Sequence, residues 1–193
     1  VALVLINDPD FEGGEGDFGG KAMTYYGRWT YKYEELARQG AAGVLIVHET
    51  APASYGWATV RASGLSPVFD IPRDDAAQYH TRLRGWMQRD LAVSLFQRAG
   101  LDFEAEKRRA QTAAFAPVAL GDATMSAAFA LKRDQVVTRN VIGKLQGAQR
   151  PDETVIYSAH WDAFGIGEPA ANGDAVRHGA VDNATGVAAV IEL

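Results

Sequence analysis

The 193-residue sequence lacks cysteine altogether, which excludes a disulfide framework and a thiolate nucleophile. It also lacks an excess of basic residues. Its formal net charge is −5 at pH 7, which argues against a nucleic-acid partner. No stretch approaches the ~20 apolar residues that a membrane span requires. A complete lack of cysteine is compatible with export, and we expect a secreted or periplasmic protein. The hydrophobic fraction of 47% is ample for a globular core.

Two familiar metal-binding patterns are missing as well. There is no HExxH pair, the pattern that places two histidine ligands on one face of a helix. Residues 8–20, DPDFEGGEGDFGG, carry five carboxylates among glycines, but their spacing does not follow the twelve-residue calcium loop of an EF-hand. We therefore expect a solvated surface loop there, with a calcium loop as the alternative.

The amino-terminal part has the pattern of a parallel strand–helix–strand unit. Residues 1–6, VALVLI, and 42–47, AGVLIV, are continuous apolar runs, which is typical of strands buried on both faces. Residues 30–39 between them have helical composition, and Gly40 stands where a helix commonly ends. Strands joined through a helix by short connections pack in parallel. We therefore predict one sheet that contains both runs, with the helix across it.

Aromatic and histidine residues outside this unit are predicted to be structural. Tyr55 and Trp57 lie in a predicted loop, residues 54–63. We expect these two side chains to pack this loop against its own domain. A contact surface for a polypeptide is the alternative, because aromatic anchors dominate interfaces. His48 and His80 have no partner at ligand spacing along the sequence, and we expect both to be structural.

Further elements follow from local periodicity. Helices are predicted at residues 89–99 and 102–111, the second with Asp102 as its N-cap. From Pro117 onwards the composition changes towards β-structure. The predicted strands lie at residues 68–71, 79–87, 127–132, 136–145 and 154–159. We place a domain boundary at about residue 112.

A histidine and two aspartates form the candidate site. His160 and Asp162 follow the predicted strand 154–159, at the end where open α/β sheets bind ligands, and leave it on the same side. Asp182 directly precedes the small apolar run 184–191, which resembles the start of a buried helix. Imidazole and carboxylate on separate elements are a plausible zinc pair, with Asp162 supporting the imidazole. A histidine that is only hydrogen-bonded, and an aspartate that only caps a helix, are the alternatives.

The segments SAHWDAFGIG and GAVDNATGVAAVIEL resemble the metal-binding core of the di-zinc aminopeptidases of metallopeptidase family 28. This family also holds glutamate carboxypeptidase and the transferrin receptor. The resemblance implies that His160 is a terminal ligand of one zinc ion, that Asp182 bridges two zinc ions, and that Asp162 is the catalytic residue that supports the histidine. It also calls for a Glu-Glu pair, a further acidic ligand and a late histidine. We expect these beyond Leu193, in a longer parent protein.

A second resemblance lies in residues 20–50, GKAMTYYGRWTYKYEELARQGAAGVLIVHET. They resemble the protease-associated domain, a small α/β module inserted in many peptidases. Together the resemblances imply an α/β chain in two parts. Residues 1–111 would be a protease-associated domain with flanking helices. Residues 112–193 would be the truncated start of a zinc-exopeptidase domain with a mixed sheet of the phosphorylase/hydrolase-like type.

The expected function is that of a zinc aminopeptidase. The parent protein would hydrolyse N-terminal residues from peptide substrates with water activated by two zinc ions, and residues 1–193 alone would be inactive. Two alternatives stay open: a non-enzymatic binding or receptor protein on the same fold, and a glutamate carboxypeptidase-like enzyme.

Overall fold

The computed structural model describes residues 1–13, 16–64 and 67–193. It divides into two compact units, Val1–Ala130 and Leu131–Leu193, which we call unit 1 and unit 2. The domain boundary predicted near residue 112 separates two segments of different expected function. The division into compact units does not test it, and it stays a prediction. Within the described ranges, no helix is long and apolar enough to cross a membrane.

Unit 1 contains a three-stranded sheet and five α-helices among the residues that the structure describes. Its strands are β1 (Ala2–Leu5), β2 (Gly43–His48) and β3 (Leu83–Gln88). Its helices are α1 (Trp29–Arg38), α2 (Thr50–Ala53), α3 (Trp57–Gly64), α4 (Arg89–Arg98) and α5 (Phe103–Arg109). Single 3₁₀ turns lie at Tyr25–Gly27 and Ala76–Gln78. The three predicted helices of this unit are confirmed by α1, α4 and α5.

The sheet of unit 1 is parallel throughout. β2 is its central strand, and both β1 and β3 pair with β2, with Ala2 opposite Val44 and Gly43 opposite Leu83. The chain passes from β1 through α1 to β2. The predicted crossover unit is therefore confirmed, and so is the α/β class with a parallel sheet.

Both faces of this sheet are covered. Alternate residues of β2 point to opposite sides, so β2 contributes side chains to both cores. Val44 and Ile46 pack with Tyr33 of α1 on one face. Val47 packs with Phe103 of α5 on the other face. The three β2 side chains are at most 1% exposed. This double burial explains why the sequence of β2 is a continuous apolar run rather than an alternating one.

The segment predicted as a loop at residues 54–63 is largely helical, because α3 begins three residues into it. Its alanines favour helix, and the neighbouring aromatics concealed that signal. Tyr55 packs against Trp86 of β3, with ring centroids 6.4 Å apart. The Nε2 atom of buried His48 lies 2.9 Å from the carbonyl oxygen of Tyr55. The structural roles predicted for Tyr55 and His48 are therefore confirmed.

Two carboxylates of the acidic loop are buried rather than solvated. Asp8 accepts hydrogen bonds from the backbone N–H and the hydroxyl of Thr24, at 2.7 and 3.0 Å. Asp10 accepts hydrogen bonds from the N–H groups of Phe18 and Gly20, at 3.1 and 3.0 Å. The prediction of a solvated loop is wrong for these two residues. Nearby N–H and O–H groups donate to these carboxylates in place of water, and these hydrogen bonds fold the loop back on itself.

The two strands predicted between residues 68 and 87 fare differently. Residues 68–71 form no strand, and their large apolar side chains are between 68% and 77% exposed. The strand predicted at 79–87 exists as β3 but begins only at Leu83. His80 therefore precedes the strand, and its Nε2 lies 3.5 Å from Asp70. This acidic neighbour is ten residues away, which is why local spacing did not reveal it.

Unit 2 has little regular structure. A two-stranded antiparallel ladder pairs β4 (Gly165–Ile166) with β5 (Val176–Arg177). An irregular turn, Ala180–Ala184, leads into helix α6 (Thr185–Glu192). The helix predicted in the apolar run 184–191 is therefore confirmed, but its predicted burial is wrong, because no residue of α6 is buried.

The strands predicted at residues 127–132, 136–145 and 154–159 are not formed. The stretch 110–164, all of which the structure describes, contains no helix or strand. The apolar side chains of Val141, Leu145 and Ile156 are between 80% and 97% exposed. Alternating or apolar residues provide a face for burial, but a strand also needs a neighbour that pairs with its backbone groups. These three predictions are wrong, because among the residues that the structure describes no strand pairs with these segments.

Lys107 of α5 joins distant parts of unit 1 through buried charge. Its side chain is 8% exposed, and its ammonium group donates to the carboxylates of Glu12 and Glu49, at 2.7 and 2.8 Å. Burial opposes the charge, but the hydrogen bonds to the two carboxylates outweigh it and raise the pKa of Lys107. The cluster fixes the acidic loop and the residue before α2 against α5.

We predict that Lys107→Ala lowers the free energy of unfolding of unit 1 by about 2–3 kcal/mol, because it leaves the carboxylate of Glu49 buried with weaker compensation. Arg89, whose Nε lies 3.4 Å from Glu49, limits the loss. Chemical denaturation measures the change. The matched control is Arg38→Ala, which removes an exposed pair with Glu35 and should leave the free energy of unfolding nearly unchanged. Equal losses in the two variants would contradict a special role for the buried cluster.

Candidate metal centre

The three predicted site residues lie together in unit 2. The Nε2 atom of His160 is 2.9 Å from Oδ1 of Asp182. The other ring nitrogen, Nδ1, is 3.1 Å from the carbonyl oxygen of Asp162 and 3.2 Å from its Oδ1. The imidazole therefore has Asp182 on one side and Asp162 on the other. The spatial expectation is met, while the roles of the three residues as ligands and support stay predictions.

The turn Ala180–Ala184 presents Asp182 to the histidine. Asp182 has φ −116° and ψ 88°, and Asn183 has φ −139° and ψ 41°, so both residues depart from helical geometry. Regular helix resumes at Thr185, whose hydroxyl donates to the carbonyl oxygen of Val181 at 2.8 Å. The carboxylate of Asp182 therefore stands outside the helix that follows it.

Asn183, and not Asp182, caps the start of this helix. Its Oδ1 accepts a hydrogen bond from the N–H of Gly186 at 3.1 Å, which satisfies one of the donors that a helix start leaves free. The alternative in which Asp182 is only a helix cap is therefore wrong. Because its neighbour satisfies the helix start, the Asp182 carboxylate is free to face His160.

The surroundings of His160 favour its charged form. The backbone carbonyl of Asp162 and then the carboxylate of Asp182 raise the pKa of His160 above its ordinary value of 6.5. In the protonated ring both nitrogens donate, one to each aspartate. The side chains are 52% exposed for His160 and 74% for Asp182, so water and salt screen this pair.

The donor chemistry fits zinc, which accepts imidazole nitrogen and carboxylate oxygen. A zinc ion would replace the proton on Nε2, and the contact between Nδ1 and Asp162 would hold the ring in the tautomer that binds metal. Two donors are fewer than the three or four that hold zinc firmly. Within the described parts of the chain, no cluster of three or more His, Asp or Glu side chains has metal-binding geometry. His160 and Asp182 therefore supply two donors of a type that zinc accepts, fewer than a complete zinc site needs.

Comparison with known proteins bears on the same segment. Residues 140–193 match the model of peptidase family M28, and the match includes all three site residues. This match supports membership of family M28. At the family level it supports a zinc-type peptidase, a hydrolase that acts on peptide bonds. No curated protein and no solved structure matches the chain.

Residues 140–193 contain a second His–Asp pair that was not predicted from the sequence. His178 Nε2 lies 2.9 Å from Oδ2 of Asp174, across the β5 strand of the small ladder. The N–H of Val176 donates to Asp174, and this bond and then His178 lower the pKa of Asp174. The spacing of four residues was the available signal. The signal for the cap at Asn183 was weaker, namely an asparagine three residues before a glycine of the helix.

We predict that Asp182→Asn lowers the pKa of His160 towards 6.5 but not fully to it, because the Asp162 carbonyl remains. The sign follows from the loss of a negative charge that stabilises the protonated ring. The wild-type contact is accordingly strongest below about pH 6.5 and is lost as pH rises through the raised pKa. NMR titration of the His160 ring measures both values.

Asp174→Asn is the matched control for this titration, since it removes a carboxylate of the same unit that contacts His178 instead. It should leave the His160 titration unchanged. An unchanged His160 pKa in Asp182→Asn would show that the two side chains do not meet in solution.

Proposed function

We propose that this chain is part of a zinc-dependent exopeptidase, an aminopeptidase that releases N-terminal residues from peptides. The observation that carries the proposal is the 2.9 Å approach of His160 Nε2 to Asp182 Oδ1 within the segment that matches family M28. These are the atoms that would bind the metal, and they come from two segments 22 residues apart along the chain.

Asp182 is proposed to bridge two zinc ions. One of its oxygens faces the imidazole, and its side chain is 74% exposed, so the carboxylate is open to a second ion. His160 is proposed to bind one of these ions through Nε2. This division of roles needs further ligands for both ions, because each zinc requires three or more protein donors or waters.

Asp162 is proposed to act through His160. Its carbonyl and carboxylate oxygens both lie within 3.2 Å of Nδ1, which keeps a proton on that nitrogen and directs the Nε2 lone pair towards the metal. Bound zinc would lower the pKa of a coordinated water towards ~7 and so supply a nucleophile at neutral pH.

Residues 1–111 are proposed to be a protease-associated domain with flanking helices. Its support is the parallel order β1-β2-β3, the crossover through α1 and the sequence resemblance of residues 20–50. We propose peptide as the substrate, because the family model that residues 140–193 match is that of a peptidase family.

The proposal predicts unequal losses in the longer protein that carries the complete ligand set. Asp162→Ala should reduce metal affinity or aminopeptidase rate by about 10–100-fold, as expected for a residue that orients a ligand. Asp182→Ala should cost more, because it removes a donor from both ions and leaves their mutual repulsion unbalanced. The measurements are zinc content by mass spectrometry and the rate of release of N-terminal residues, with and without a chelator.

Asp174→Ala serves as the control and should keep zinc and rate, since Asp174 contacts His178 rather than His160. Retention of both metals and most of the rate in Asp182→Ala would refute the bridging role. Release of acidic C-terminal residues instead of N-terminal ones would favour the carboxypeptidase alternative. An inert protein that stays metal-free despite a complete ligand set would favour the binding-protein alternative.

A further inference from the structure

Gly179 is packed too closely for any side chain. Its φ of −91° and ψ of 42° lie in the region of negative φ, so the backbone conformation itself does not demand glycine. A Cβ at this position would lie 2.6 Å from the carbonyl oxygen of Asp182 and 3.0 Å from the Cβ of Ala163. The first contact is with a backbone atom, which cannot rotate away as the end of a side chain can. Glycine is required here by close approach.

This approach joins the two halves of the candidate site. Ala163 directly follows Asp162, on the segment that carries His160, while the carbonyl oxygen belongs to Asp182 itself. Gly179 also closes the turn from its other side, because its carbonyl oxygen accepts a hydrogen bond from the N–H of Ala184 at 2.9 Å. The glycine therefore touches both the histidine segment and the turn that carries the carboxylate.

A second glycine in the same region behaves differently. A Cβ at Gly186 would meet only the side-chain atoms of Asn183. That side chain can rotate at the loss of one hydrogen bond, and the backbone that presents Asp182 need not move. Among these two glycines, only Gly179 presses on the backbone of the site.

Whether the contact matters for metal binding depends on how far an added Cβ would displace Asp182. To reach even 3.0 Å from an added Cβ, the Asp182 carbonyl oxygen must move by about 0.4 Å from its present 2.6 Å. Metal sites hold their ligand distances to within about 0.2 Å. A displacement of this size, when it is passed on to the Asp182 carboxylate, exceeds that range.

We propose that Gly179 is a positioning residue that sets the separation of the His160 imidazole and the Asp182 carboxylate. Any residue with a Cβ at position 179 pushes the turn away from the histidine segment and separates the pair. The geometric part of this inference stands on the contacts alone, and its consequence for zinc binding rests on the proposed function.

The test uses isotope-labelled wild-type chain, Gly179→Ala and Gly143→Ala. Gly143 lies in the same unit, has no heavy atom within 4 Å of an added Cβ and does not have a positive φ, so it is the matched control. The first readout is the nuclear Overhauser effect between the His160 ring and the Asp182 side chain in metal-free protein. The second is the zinc concentration that half-saturates the shift of the His160 ring signals. The protection of α6 amides from hydrogen exchange reports whether the unit stays folded.

Gly179→Ala should lose the His160–Asp182 contact and weaken zinc binding by about tenfold or more, while Gly143→Ala keeps both. A retained contact and unchanged zinc binding in Gly179→Ala would overturn the proposal. If the contact is lost in Gly179→Ala but the wild type shows no zinc-dependent shift, the positioning role stands and the proposed metal site fails.

One further measurement decides the matter if Gly179→Ala loses the protection of α6. In wild-type chain the Hα protons of Gly179 should show a nuclear Overhauser effect to the methyl group of Ala163. Its presence supports the close approach independently of any variant, and its absence overturns the proposal.

Discussion

A carboxylate beside a helix start usually satisfies the free N–H groups of that helix, and the candidate site depends on avoiding this outcome. Asn183 accepts the hydrogen bond from Gly186, which leaves Asp182 without a capping task. The non-helical backbone of the turn then carries the Asp182 carboxylate to the His160 imidazole. The two neighbouring residues therefore have separate contacts: Asn183 bonds the first turn of the helix, and Asp182 faces His160.

The two units are stabilised by different means. In unit 1, β2 is buried on both faces between α1 and the α4–α5 pair, and its alternate side chains pack in two separate cores. Buried charge also contributes there, in the Lys107 cluster that connects the acidic loop to α5. Unit 2 has short elements and mostly exposed apolar side chains, so local hydrogen bonds of the turn and the ladder determine its geometry.

Sequence reasoning succeeded where a local pattern contains the cause of the structure. The apolar run of β2 predicts burial on both faces, and the composition of residues 30–39 predicts α1, because periodicity and propensity are local. It failed at residues 136–145 and 154–159, because a strand depends on a partner that no local pattern supplies. The burial of Asp8 and Asp10 was missed for the same reason, since donors of the folded loop satisfy them.

For the site, the motif residues were predicted from the sequence, whereas the means of holding them was not. His160, Asp162 and Asp182 were found from their positions and from the family resemblance. The cap at Asn183 depends on backbone geometry that a sequence does not display.

The central claim is that His160 and Asp182 bind the same metal ion. The most direct measurement is anomalous scattering at the zinc absorption edge from crystals of the zinc-loaded protein with its complete ligand set. We expect a peak within about 2.0–2.2 Å of both His160 Nε2 and a carboxylate oxygen of Asp182. A zinc peak elsewhere, with the direct His160–Asp182 hydrogen bond still in place, would contradict it.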